Sequence, residues 1–122
     1  MQLDHYKSLY LSKKRKTEEK KKFHTLLPKH KNRKPMEIVT RKPNDAEKRL
    51  AQDWTIWTKE VSEFPWHYDE KETCYILEGQ ANVIDTEGNS IVFGPGDWVE
   101  FPKGVNCTWK INSPIKKRYF FG

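Results

Sequence analysis

The stretch that decides the fold is residues 73–101, which reads TCYILEGQANVIDTEGNSIVFGPGDWVEF. Short runs rich in β-branched and aromatic residues alternate here with turn-forming residues, a pattern typical of antiparallel strands. Glu87-Gly88-Asn89 predicts a hairpin turn, and Gly94-Pro95-Gly96-Asp97 predicts a second tight turn. The stretch therefore predicts four strands, at residues 73–77 (ended by Gly79), 81–85, 91–93 and 98–101.

The same pattern continues on both sides of this stretch. One helix is predicted, over residues 45–52, because Asn44 and Glu47 have the spacing of a capping box. About eight short strands with one short helix predict an all-β sandwich or small barrel with a narrow interior. The further strands are predicted at residues 37–39, 54–62, 64–68, 106–111 and 115–121, with a break at Asn112-Ser113-Pro114 between the last two.

Charge divides the chain into two unequal parts. The 122 residues carry a formal net charge of +6, yet residues 1–35 alone hold 12 basic and three acidic residues. The remaining 11 basic and 14 acidic residues give residues 36–122 a net charge of −3, together with all five Trp and both Cys. The sequence therefore predicts a basic N-terminal arm, residues 1–35, joined to a mildly acidic, aromatic-rich domain, residues 36–122.

The arm includes KKRKTEEKKK at residues 13–22. Its self-repulsion and its lack of apolar periodicity predict disorder, because it cannot bury enough surface to offset the entropy of ordering. Nucleic-acid binding through the arm, or a nuclear-import signal, is the alternative that we do not favour. A natural start at Met36 would leave the arm outside the protein altogether.

Several classes of protein are not expected from this sequence. No run approaches the roughly 18 apolar residues of a membrane span, so no membrane partner is predicted. The start lacks the apolar core of a secretory signal, and two cysteines are too few for a disulfide scaffold. A cytoplasmic location is expected, where Cys74 and Cys107 would stay reduced.

Two spaced motifs resemble those of the cupin family. The first cupin motif ends in Glu, six residues and Gly, which correspond to Glu72 and Gly79. The second departs from the family at its histidine and asparagine, which are replaced by Cys107 and Ile111, and agrees with it at Gly96, Pro102 and Gly104. The resemblance covers about residues 36–122 and implies a cupin-type (RmlC-like) jelly-roll β-barrel, in agreement with the predicted strands.

Further segments look like one branch of that family, the small single-domain cupins grouped with the (S)-ureidoglycine aminohydrolase cupin domain. They are residues 60–66, 72–79, 96–104 and 107–110. Cupins commonly pair, so the resemblance also implies a homodimer.

Metal-binding cupins hold a transition metal with three histidines and a glutamate. The resemblance places Trp66, Tyr68, Glu72 and Cys107 at those positions, and only the last two are good ligands. A tight site needs at least three protein ligands, so no metal or other cofactor is expected. A divalent transition metal, if bound, would use Glu72 and Cys107, with His67 as a weaker candidate that strand alternation turns to the opposite face.

The barrel interior is where a site is predicted, lined by Trp66, Tyr68, Glu72, Cys107 and Trp109. A carboxylate inside a small barrel must be paired, hydrogen-bonded or protonated, so Glu72 either anchors a ligand, acts as a base or pairs with a neighbour. The aromatic residues either fill the interior or form a ligand platform. Cys74 and Cys107 are interpreted as small buried hydrophobes in preference to reactive thiols.

Two functions remain open from the sequence. In the first, the domain binds a small polar metabolite such as a sugar derivative or a carboxylate. In the second, it is an enzyme of the ureidoglycine aminohydrolase or isomerase type. That enzyme is either metal-assisted or uses Glu72 and Tyr68 as catalytic acid and base.

Overall fold

Seven strands and one helix make up residues 34–122, the part of the chain that the computed structural model describes. The helix, α1 (Asp45–Ala51), lies between the first two strands. The strands are β1 (Val39–Arg41), β2 (Thr55–Lys59), β3 (Ser62–His67), β4 (Glu72–Asp85), β5 (Ser90–Phe93), β6 (Trp98–Phe101) and β7 (Asn106–Phe121). The disorder predicted for residues 1–35 lies outside the described residues, except for the last two positions of that arm.

All strand pairs are antiparallel, and the two long strands β4 and β7 pair with each other along their length. The sheet runs β1-β6-β4-β7-β2, with β5 on the second half of β4 and β3 on the first half of β7. Each long strand therefore has two successive partners on its outer edge, which rolls the sheet around a common interior. The all-β prediction is confirmed.

The sequence prediction divides β4 at Gly79 and β7 at Asn112-Ser113-Pro114, and both divisions are wrong. The two sites face each other across the β4–β7 pair, where the register shifts between Ile76 and Ala81. Gly79 has a φ of +87°, and a Cβ atom there would collide with the carbonyl of Pro114. The residues that predicted strand ends instead make a bulge, at which both strands bend and continue.

The predicted capping box is confirmed at the start of α1. Asn44 Oδ1 accepts a hydrogen bond from the Glu47 amide at 2.8 Å, and Glu47 Oε1 accepts one from the Asn44 amide at 2.9 Å. The strand predicted at residues 37–39 is shifted to Val39–Arg41, because β6 offers its pairing positions from Trp98 to Glu100. Pairing with a neighbouring strand thus outweighed the local pattern.

The interior is filled by side chains that alternate along the strands. Large aromatic residues dominate it, and they contact one another across the barrel. The aromatic residues buried there are Trp66, Tyr68, Phe93, Phe101 and Trp109. Within residues 34–122 no helix has the length and the apolarity that crossing a membrane requires.

Candidate functional site

A buried ion pair lies at the centre of the barrel. Glu72 is the first residue of β4 and Lys117 lies on β7, and 1% and 2% of their surfaces are exposed. Lys117 Nζ donates a hydrogen bond to Glu72 Oε2 at 3.0 Å. An isolated charge in such a place would be expensive, so each group is the counter-ion that makes burial of the other tolerable.

Aromatic rings surround the ammonium group of Lys117. Its Nζ lies 4.7 Å from the ring centroid of Trp57, 4.7 Å from that of Trp109 and 5.9 Å from that of Tyr119. Rings at these distances attract a cation through their negative faces, and the attraction strengthens when water is excluded. Register explains the arrangement, because Trp57 of β2 and Ile76 of β4 are the direct neighbours of Lys117.

The pKa of Lys117 is raised above its ordinary value. Burial by itself lowers this pKa, but the charge of the Glu72 carboxylate and its hydrogen bond with the ammonium group raise it. The amine therefore stays protonated near neutral pH. It can donate hydrogen bonds, whereas a nucleophilic role would require a neutral amine.

Tyr68 lies beside the ion pair with its backbone fixed from two sides. Its amide donates to the Val105 carbonyl at 3.0 Å, and its own carbonyl accepts from the Gly104 amide at 2.7 Å. The ring stacks on Phe101, with centroids 4.6 Å apart, and the hydroxyl oxygen accepts from Trp109 Nε1 at 3.2 Å. Burial, reinforced by Glu72, raises the pKa of Tyr68 well above its ordinary value, so the phenol keeps its proton.

Both cysteines point into the interior, and they form no disulfide. Cys107 pairs in register with Trp66, and Cys74 lies between Glu72 and Ile76 on the inner face of β4. Burial, followed by the charge of Glu72, raises the pKa of Cys74 well above its ordinary value. A thiol held protonated in this way is a poor nucleophile.

A narrow cleft opens onto the ion pair. Its volume is about 10 Å³, close to the smallest space that holds one water molecule. The cleft is lined by Trp57, Phe64, Trp66, Tyr68, Glu72, Trp109 and Lys117. Four of the five residues predicted for the site thus lie together, while Cys107 is buried nearby without lining the cleft.

A larger cavity of about 200 Å³ lies elsewhere on the barrel. It is formed by the residues before β1, the β4–β5 turn and the β6–β7 turn, and it includes Glu37, Asp85 and Glu87. These carboxylates lie near solvent, and no residue of the predicted site lines this cavity. Tyr68 and Lys117, two buried groups whose pKa is raised above the ordinary value, line the small cleft instead.

The family model described as the EutQ-like cupin domain matches residues 47–119. The chain belongs to this cupin family. The cupin-type jelly-roll barrel predicted from Glu72, Gly79 and the second motif is thereby confirmed.

Solved structures agree with this assignment. A DUF861 family protein from Thermotoga maritima is 46% identical, and the match covers 70% of this chain and 100% of that one, with a TM-score of 0.68. The EutQ protein of Clostridium difficile is 16% identical, with a TM-score of 0.51. That match covers 69% of this chain and 66% of the EutQ chain. The second likeness concerns the fold alone. No curated protein matches the sequence.

The residues of this cupin domain do not fit the metal that metal-binding cupins hold. Of the four positions carried over, Trp66 offers no ligand atom, and the Tyr68 hydroxyl is a protonated phenol bonded to Trp109. The carboxylate of Glu72 is bound to Lys117. Across residues 34–122, no three His, Cys, Asp or Glu side chains come together as a ligand group.

His67 lies away from the cleft, as strand alternation predicted. Its Nδ1 is 2.7 Å from Asn106 Oδ1, and its Nε2 is 3.1 Å from Asp69 Oδ1. Trp66 and Tyr68, on either side of it, are buried in the interior. Both ring nitrogens of His67 therefore have partners at the surface of the domain.

The sequence prediction missed three residues of the cleft, Trp57 and Phe64 at its rim and the buried Lys117. A signal for Lys117 exists, because Ile115, Lys117 and Tyr119 share one strand face, and Ile115 is buried in the core. A lysine on an apolar strand face, in a barrel that also contains a carboxylate, indicates an internal ion pair. The proximity of Lys116 and Arg118 obscured that signal by resembling an ordinary solvated charge run.

Proposed function

We propose that this cupin domain binds a small polar metabolite at the cleft lined by Glu72 and Lys117. The buried ion pair is the observation that carries the proposal. Replacing such a pair with apolar residues of similar volume is often neutral or stabilising, so a barrel that needed only a filled core has little use for it. A pair at the base of an aromatic cleft is useful when a ligand must be oriented.

The side chains around the cleft define the ligand chemistry. Glu72 supplies a hydrogen-bond acceptor, while the Lys117 ammonium and the Tyr68 hydroxyl supply donors. The rings of Trp57 and Phe64, half-buried at the rim, offer flat apolar faces. A compact ligand with both acceptor and donor atoms, such as a small carboxylate or a sugar derivative, matches this set.

The small volume of the cleft sets a condition on binding. A metabolite larger than water enters only if the rings of Trp57 and Phe64 turn outward. Both rings pack on Trp109, with centroid distances of 6.3 Å and 6.1 Å. Ligand binding should therefore change the environment of Trp109, which makes tryptophan fluorescence a second readout beside thermal stability.

The test is a thermal-shift screen of small carboxylates and sugar derivatives on the full chain. A ligand of the cleft raises the Tm of the wild type and has a weaker effect on Tyr68→Phe, which lacks the hydroxyl. Tyr75→Phe is the matched control, because Tyr75 lies on the same strand as Glu72 and does not line the cleft. If no compound raises the wild-type Tm, or if Tyr68→Phe responds like Tyr75→Phe, binding at the cleft is refuted.

The second candidate is an enzyme of the ureidoglycine aminohydrolase or isomerase type. What supports it is that Glu72 and Tyr68, a carboxylate and a protonated phenol, line the same cleft. Such a pair can act as base and acid without a metal. Ammonia release from (S)-ureidoglycine by the wild type, reduced at least about tenfold in Tyr68→Phe, would favour the aminohydrolase. Absence of release in the wild type rules it out.

We also propose that the protein is a homodimer, as the resemblance to cupins implies. The exposed apolar side chains Val39, Ile56 and Val92 lie on three strands that are not neighbours, β1, β2 and β5, so the resemblance alone supports the dimer. Light scattering after size-exclusion chromatography distinguishes a dimer from a monomer. A monomeric mass at micromolar concentration contradicts the proposal.

A further inference from the structure

We propose that the ammonium group of Lys117 takes the place in this barrel that a metal ion takes in metal-binding cupins. The interior is then an organic-cation site that the chain fills with one of its own side chains. In the protein without ligand, Lys117 Nζ already lies beside the Glu72 carboxylate. It also lies among the rings of Trp57, Trp109 and Tyr119, which we call the aromatic box. The role of Lys117 is therefore independent of metabolite binding.

Lys117 binds the carboxylate that corresponds to the glutamate ligand of metal-binding cupins. Glu72 is the one residue of the first cupin motif that remains a good metal ligand here, and its Oε2 is 3.0 Å from Lys117 Nζ. The carboxylate that would bind a metal is therefore already neutralised by a cation. Adding a divalent ion beside Lys117 would leave excess positive charge in a buried site, which is strongly unfavourable.

The groups around Lys117 Nζ suit an organic cation better than a metal ion. Three aromatic rings, those of Trp57, Trp109 and Tyr119, lie 4.7, 4.7 and 5.9 Å from Nζ. Aromatic faces bind alkylammonium ions well, whereas a transition metal needs nitrogen, oxygen or sulfur donors. The box is thus built for an organic cation.

The cation belongs to a strand of the barrel wall that surrounds the site. Lys117 lies on β7, directly between Trp57 of β2 and Ile76 of β4 in register, and its own surface is 2% exposed. A cation supplied by the wall of the barrel needs no entry path. It also pays no translational entropy on binding, unlike a free ion.

Truncation of the Lys117 side chain removes the internal cation and tests the site. Lys117→Ala removes three carbon atoms and the nitrogen, so n-propylammonium is the missing fragment. We expect n-propylammonium chloride at saturation to raise the Tm of full-length Lys117→Ala by about 4 °C or more. The neutral analogue 1-propanol, at the same concentration, should give no comparable rise.

Two controls, the wild type and a double variant, locate the effect. The wild type should show no rise with n-propylammonium, because Lys117 already fills the site. The double variant Lys117→Ala/Glu72→Gln should lose the rise, because the counter-ion is gone. Equal responses to 1-propanol and n-propylammonium in Lys117→Ala, or equal responses of Lys117→Ala and the wild type to the amine, overturn the proposal.

A measurement on the wild type keeps the proposal testable if Lys117→Ala does not fold. Titration with Co²⁺ gives cobalt–thiolate absorption when a cysteine binds the metal, and Cys74 and Cys107 are the two cysteines of the chain. We expect no such absorption from the native protein. One equivalent of tightly bound Co²⁺ with a thiolate band would place a metal in the barrel and overturn the proposal, whatever the outcome of the metabolite screen.

Discussion

Lys117 Nζ lies 3.0 Å from Glu72 Oε2, inside a barrel that exposes 2% of Lys117 and 1% of Glu72. The two charges depend on each other, because both groups are almost completely buried from bulk water. Removing one partner leaves the other buried and uncompensated, which is costlier than never having buried the pair.

Glu72→Gln should therefore destabilise the protein by about 3–5 kcal/mol. The glutamine fills nearly the same volume, so the loss reports the missing charge and not a cavity. Urea unfolding followed by tryptophan fluorescence measures the change in the free energy of unfolding.

The matched control for that variant is Glu78→Gln. Glu78 lies on the same strand and is 3.6 Å from Lys116, but 68% of its side chain is exposed. An exposed pair contributes about 0–1 kcal/mol, so this variant should be nearly neutral. Equal losses from the two variants would contradict the assignment of Glu72 as a buried counter-ion.

Stability should fall as the pH rises above about 9. The folded protein raises the pKa of Cys74, Tyr68 and Lys117 from ordinary values of 9.0, 10.0 and 10.5, so each group keeps its proton longer when folded than when unfolded. Their contributions to stability are complete below those ordinary values and are lost as the pH rises toward the folded values. Between the ordinary pKa and the folded pKa of each group, the free energy of unfolding falls by about 1.4 kcal/mol per pH unit for that group.

Thermal unfolding between pH 7 and pH 11 measures this dependence. In Cys74→Ala the decline should begin about one unit later, because the group with the lowest ordinary value is removed. A Tm that stays level from pH 8 to pH 11 would show that these groups are not buried as described.

Gly79→Ala should be more destabilising than Gly104→Ala. Both glycines have positive φ, 87° and 91°, so both variants carry the cost of a left-handed backbone, about 1–2 kcal/mol. A Cβ at Gly79 also collides with the carbonyl of Pro114, whereas nothing lies within 4 Å of one at Gly104. Chemical denaturation of the two variants isolates the collision, and equal losses would contradict the close approach of β4 and β7.

The fold was largely predictable because its signals are local. Strand alternation depends on neighbouring residues, and so do the turns at Glu87-Gly88-Asn89 and Gly94-Pro95-Gly96-Asp97. The capping box depends on the four consecutive residues from Asn44 to Glu47. The continuity of β4 and β7 was not predictable in this way. Gly79 and Pro114 oppose each other only after the strands have paired, and a residue that ends a strand alone can bend one within a sheet.

The site was half predictable for a similar reason. Strand alternation separated Trp66 and Tyr68 from His67, and the resemblance to cupins placed Glu72 inside the barrel. The requirement that a buried carboxylate have a partner was also recognised. Which partner it has depends on the β4–β7 register, which brings together positions 45 residues apart. The size of the cleft was also unpredictable, since it reflects how Trp57 and Phe64 pack on Trp109.

Both cysteines should resist modification in the native protein. Cys74 and Cys107 are 0% and 1% exposed, so a disulfide reagent reaches neither thiol, and the pKa of Cys74, raised by burial, keeps that thiol protonated as well. Reaction with an aromatic disulfide such as DTNB should be slow in native buffer and should reach two thiols per chain on unfolding, as the sequence requires. In Glu72→Gln the native rate should rise, because the destabilised barrel opens more often and exposes both thiols. Rapid reaction of one thiol in the native wild type would instead identify a reactive cysteine, and the interpretation of both as buried hydrophobes would be wrong.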